Sequence, residues 1–174
     1  MKGGDNMNFL VTERIIDFTD KFISKSQYTV QTEGHKDYLG KVYTADYVEI
    51  IVQPPYQIAF EVVENEITIF YFDDHIHFED YSSQLEEGMP NYVDRAIEFL
   101  EKIFKYPIEQ RKTLKGNKVI RDETLFITSE NEKESICVTY SCAGLRNLFK
   151  KRIKTVKRFA FDVETKSFRE VHIL

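Results

Sequence analysis

A chain of 174 residues can bury a core without disulfide or metal staples, and its length corresponds to one domain, 1–174. Hydrophobic content of 42% and charged content of 30% exclude wholesale disorder, and no apolar run approaches the roughly 20 residues needed to span a bilayer. The net charge of −5 hides a segregation: Phe60 to Glu101 holds twelve acids against the single base Arg95, whereas Arg146 to Arg158 holds seven bases and no acid.

Fourteen Phe and ten Tyr with no Trp favour pleated, half-buried surfaces, so much of the core is expected to be sheet. The first element is read as a helix from about Asn8 to Ser24, with Phe9, Ile15, Ile16, Phe18, Phe22 and Ile23 on its apolar side. Tyr28 and Val30 alternate with polar neighbours as in a short strand, and the β-rich run Tyr47 to Val52 stops at Pro54-Pro55. Gln57 to Val63 and Ile67 to Phe72 flank Glu64-Asn65-Glu66 as a hairpin. Its second strand is apolar on both faces, which predicts a central position, and it is read as continuing towards Phe78.

Asn91 is a plausible N-cap for a second helix, whose stripe is Tyr92, Val93, Ala96, Ile97, Leu100, Ile103 and Phe104, with Pro107 ending it. Ile108 to Leu114 and Val119 to Ile127 then bracket Lys115-Gly116-Asn117-Lys118 as a second hairpin, and Ser135 to Ser141 is a further strand. Leu145, Leu148, Phe149 and Ile153 suggest a short basic helix, and Val156 to Val163 with Phe168 to Ile173 form a third hairpin. The order lacks regular βαβ alternation. It predicts an α+β fold, a mainly antiparallel sheet of several hairpins packed with two or three helices.

His75-Ile76-His77-Phe78-Glu79 is the first place to look for chemistry. On one continuous strand, His75, His77 and Glu79 share a face, and two imidazoles with a carboxylate can hold a metal. The segment resembles the first half of the cupin metal motif, but Tyr81 or Ser82 stands where a cupin has its glutamate. A third ligand would have to come from elsewhere, and His35 and His172 are the remaining histidines. No nucleophile elbow, reactive-cysteine signature or phosphate-cradling glycine loop occurs. Neither a cofactor nor a catalytic residue is therefore assigned. Cys137 and Cys142 are read as reduced, buried thiols of a cytoplasmic protein, and the opening residues lack the apolar stretch of a signal peptide.

The stretch Ile67 to Ile127 combines a strand ending in His-x-His-Phe-acid, an acidic loop, an Ala-Ile-Glu-Phe-Leu helix and a Lys-Gly-Asn turn. It is similar to small bacterial proteins in which a strand ends in Trp-His-x-His-Phe, which look like immunity proteins of polymorphic toxin systems. Asp74 stands where those proteins carry Trp. The resemblance implies a non-enzymatic interaction protein with a protein partner, such as a basic toxin domain. An acidic band would serve that role electrostatically. The expected partner-binding residues are Asp73, Asp74, His75, His77, Phe78, Glu79, Asp80 and Tyr81, with Phe78 and Tyr81 as aromatic anchors. Two alternatives are a metal-dependent protein using His75 and His77, and a nucleic-acid adaptor using the basic segment 146–158. The acidic balance of the whole chain, with a pI near 5.5, speaks against the second.

Overall fold

The computed structural model describes residues 4–36, 42–53, 56–80, 91–142 and 150–171. In chain order these form α1 (Gly4–Thr19), a short 3-10 turn (Lys25–Gln27), β1 (Tyr28–Lys36), β2 (Val42–Gln53), β3 (Tyr56–Val63), β4 (Glu66–Tyr71), β5 (Asp74–Glu79) and α2 (Tyr92–Lys105). They continue with β6 (Ile108–Lys115), β7 (Lys118–Ile127), β8 (Lys133–Tyr140), β9 (Arg152–Asp162) and β10 (Ser167–Glu170). The fold is α+β: two five-stranded antiparallel sheets, ordered β1-β2-β3-β4-β5 and β10-β9-β6-β7-β8. No helix among the described residues is long and apolar enough to cross a membrane.

Two compact units divide the chain. The first is Met1–Glu101 with Val163–Ser167, and the second is Lys102–Asp162 with Phe168–Leu174. Charge follows this division. The first unit carries twenty-one acids and eight bases, net −13, and the second eight acids and sixteen bases, net +8, which together make the −5 of the chain.

In the first unit, β1 to β5 form a meander with β4 one position in from the edge. The hairpin of β3 and β4 turns at Glu64-Asn65, with Glu64 at φ 42°. Ile67, Ile69 and Tyr71 point to one side of β4 and are fully buried, as are Ile58, Phe60 and Val62 on β3 and Val48 and Ile50 on β2. Both helices pack on this side: Thr12 of α1 bonds Asp46 of β2, and Phe99 of α2 meets Tyr71 of β4 with ring centroids 5.3 Å apart. The cap of α2 forms as expected, with the Asp94 N–H donating to Asn91 Oδ1 at 2.9 Å.

Helix α1 departs from its expected pattern. It ends at Thr19, and its buried side is Asn8, Val11, Thr12, Ile15 and Thr19, whereas Phe9 is 54% exposed. Sheet acceptors pull the polar residues inward. Asn8 Nδ2 donates to the Thr44 carbonyl at 3.0 Å, and the Thr12 hydroxyl donates to Asp46 Oδ2 at 3.0 Å. Thr32 donates to the other Asp46 oxygen at 2.8 Å, so a buried carboxylate is shared by α1 and β1. Asp46→Ala leaves the buried Thr12 hydroxyl without its acceptor and is expected to cost about 2 kcal/mol in chemical denaturation, with Asp46→Asn losing less because its amide oxygen still accepts.

The second sheet differs from expectation at its basic segment. From Arg152 onward that segment is strand β9, not helix, and Leu145, Leu148 and Phe149 lie outside the described residues. Arg152, Lys154, Val156 and Arg158 alternate with Ile153, Thr155, Lys157 and Phe159, which is the period of a strand. Lys115 pairs with Lys118 across the β6–β7 turn, where Gly116 adopts φ 64°, a conformation that favours glycine. One face packs through Ile108, Phe126 and Phe159, with Phe104 of α2 against Phe161 at 4.9 Å. Cys137 and Cys142 are not joined in a disulfide, and neither is fully buried as expected: Cys137 is half-buried on β8, and Cys142 is exposed beyond the end of that strand.

Candidate functional site

Directly paired residues of an antiparallel sheet share a face, so the register of the first sheet defines its open side. One row runs Gln31, Tyr47, Glu61, Thr68 and His77 across all five strands. A second runs Thr29, Glu49, Ala59, Phe70 and His75, and a third Glu33, Ala45, Val63, Glu66 and Glu79. This face therefore carries five glutamates and, among the described residues of these rows, no lysine or arginine. On β2, β3 and β4 the alternate residues are the buried core, so β-sheet periodicity by itself puts their acids together on the other side.

Through the acids runs an aromatic row. Tyr47 and Phe70 have ring centroids 6.2 Å apart, Phe70 and His75 5.9 Å, and His75 and His77 5.0 Å. Tyr47 and Phe70 belong to strands separated by β3, where Glu61 pairs with Tyr47 and Ala59 with Phe70, so the two rings approach diagonally across that strand. A larger residue at Ala59, only 2% exposed, would separate the two rings. Burial, and then the charges of Glu49 and Glu61, push the Tyr47 phenol above its ordinary range, so it remains a neutral hydrogen-bond donor. His77 Nδ1 contacts the Glu66 carboxylate and lies 3.1 Å from Thr68 Oγ1. A carboxylate only accepts, so this contact places a proton on Nδ1.

The seven described residues of the expected partner site do not form one surface. The strand does not run on through them: the chain reverses at Phe72-Asp73, with Phe72 at φ 55°, and Asp74–Glu79 returns as the edge strand β5. His75, His77 and Glu79 lie on the open face. Asp74 alternates to the other side, where its Oδ1 accepts the His75 N–H at 2.9 Å. Phe78 is 8% exposed and packs on Phe99 with centroids 5.7 Å apart, so it belongs to the core rather than serving as an anchor. Asp73 is exposed in the turn, and the Asp80 N–H donates to the Asn65 carbonyl at 2.8 Å. Tyr81 lies outside the described residues.

Glu33, Tyr47, Glu49, Glu61, Glu66 and Phe70 are face residues that sequence reading missed. Their signal was alternation with buried neighbours, readable only once the strand register is known. The described residues include no group of three or more His, Cys, Asp or Glu side chains that could hold a metal. His35 sits on β1, four strands from β5, roughly 19 Å at sheet spacing, and His172 lies outside the described residues. The chain matches no family model and no curated protein.

Proposed function

We propose that this chain is a non-enzymatic protein-interaction domain whose first sheet docks a basic partner surface through its open face, as a toxin-neutralising immunity protein would. The observation that carries this reading is the coincidence of five glutamates, no described lysine or arginine, and a Tyr47–Phe70 aromatic pair on one open face. Charge of one sign steers an oppositely charged partner and sets register, while half-buried aromatics supply area at low entropy cost. The placement differs from the segment first suggested by sequence: Asp73 and Asp74 stand outside the rows, and Glu49 and Glu61 lie at their centre.

The test uses the product of a neighbouring reading frame that encodes a secreted toxin domain, titrated against the full chain by calorimetry. Glu49→Lys with Glu61→Lys is expected to weaken binding at least 100-fold, with the circular dichroism spectrum unchanged. Asp73→Lys with Asp74→Lys should weaken it less than tenfold. Retained affinity in the Glu49/Glu61 variant would remove this face from consideration.

A further inference from the structure

The second sheet also has an open face, and it is of opposite sign. Register places Arg111 opposite Val156, Thr113 opposite both Arg121 and Lys154, and Lys115 opposite both Lys118 and Arg152. Glu109 and Glu123 are the acids of these paired rows, and both are already engaged. Glu109 is held by Arg111, Lys133 and Arg158, and Glu123 accepts from Arg121 at 2.9 Å and lies 3.6 Å from Arg111. The two carboxylates therefore fix arginine forks in place rather than neutralise the face, and a fork held in this way is pre-organised for phosphate.

Arg111, Arg121, Lys154 and Val156 line a groove of about 160 Å³, together with Glu123, the carboxylate that holds the two arginines. Beside it Tyr140 is 68% exposed on the edge strand β8, with the Arg121 guanidinium 5.5 Å from its ring centroid. We propose that this face binds single-stranded nucleic acid, with phosphates along Arg121, Arg152 and Lys154 and a base stacked on Tyr140. Positively charged grooves combined with aromatic platforms are how sequence-tolerant single-strand binding is built.

A competing explanation is that lysines guard a free strand edge against aggregation. It covers part of β9, whose partner β10 has only four residues. It does not cover Arg111 and Arg121, which sit on the interior strands β6 and β7, nor the exposed Tyr140, Ile153 and Val156, which would favour aggregation. The acidic balance of the whole chain is no objection either, because the acids concentrate in the first unit and the second is net +8.

The experiment is fluorescence anisotropy of a labelled 12-nucleotide single strand of mixed sequence, titrated with the full chain. Contact of Arg121, Arg152 and Lys154 with about three phosphates predicts that affinity falls about 20-fold between about 50 and 200 mM salt. Arg152→Glu with Lys154→Glu should weaken binding at least tenfold. Tyr140→Ala should weaken it about tenfold and Tyr140→Phe hardly at all. Glu49→Lys with Glu61→Lys should not weaken it, which separates this proposal from the acidic-face reading. Absence of binding at 50 mM salt would overturn the proposal. So would equal affinity for a duplex of the same length. Equal affinity for polyglutamate together with an inert Tyr140→Ala would assign the face to an acidic protein instead.

Discussion

Glutamine in place of Glu109 is expected to lower stability by about 3 kcal/mol, read from chemical denaturation. Glu109 is 1% exposed and lies beneath three cations. Arg111 Nη2 and Arg158 Nε approach its oxygens to 2.5 Å, and Lys133 Nζ to 2.9 Å. These bases come from β6, β9 and β8, so the carboxylate ties together three of the five strands. A carboxamide fills the same volume, and so the variant opens no cavity. It leaves three neighbouring positive charges with only Glu123, 3.6 Å from Arg111, as a remaining counter-charge, and it leaves Arg158 and Lys133 without the carboxylate they hold, the condition under which a broken buried pair is costly.

The same cluster sets a pH dependence. Burial alone would raise the Glu109 carboxyl, but hydrogen bonds from Lys133, Arg158 and Arg111 outweigh it and hold the group down from 4.5 to about 2. A folded value below the unfolded one means that the unfolded chain binds more protons between the two. The stabilisation is therefore complete above about pH 5 and is lost as pH falls through 2, amounting to about 3 kcal/mol. Denaturation midpoints of wild type and Glu109→Gln should converge across that window. Parallel curves would show that the cluster is not what acid attacks.

Legibility from sequence tracks how local the physics is. The Asn91 cap, the Gly116 turn and the β3–β4 hairpin are each written in a few adjacent residues, and each is found where it is expected. The β4–β5 reversal is not legible, because Phe72 rather than Gly or Asn takes the left-handed conformation. The basic segment misleads for another reason. With bases at most positions of 150–158, charge carries no periodicity, and only the alternation from Ile153 to Phe159 marks a strand. The candidate site is the least legible of all. Glu33, Glu49, Glu61, Glu66 and Glu79 come from five different strands, and a one-residue slip in any pair would move an acid to the opposite face. An acid-rich sequence announces that an acidic surface exists, and strand register decides which acids share it.

Phe99→Ala is expected to cost 3–5 kcal/mol, measured by urea denaturation. Phe99 faces the first sheet from α2 and meets both Tyr71 and Phe78, so truncation removes two aromatic contacts and opens a cavity between a helix and two strands. Phe9→Ala provides the contrast. Both residues are helical phenylalanines in an apolar-looking stretch, yet Phe9 is 54% exposed because Asn8 and Thr12 take the inward positions of α1. Its truncation should change stability by no more than about 0.5 kcal/mol. A cost at Phe9 comparable with that at Phe99 would mean that α1 docks by its apolar residues. Asp46, buried and accepting from Thr12 and Thr32, would then lose the reason for its position. The pair of substitutions therefore tests whether hydrogen bonding, rather than hydrophobic periodicity, sets how α1 sits on the sheet.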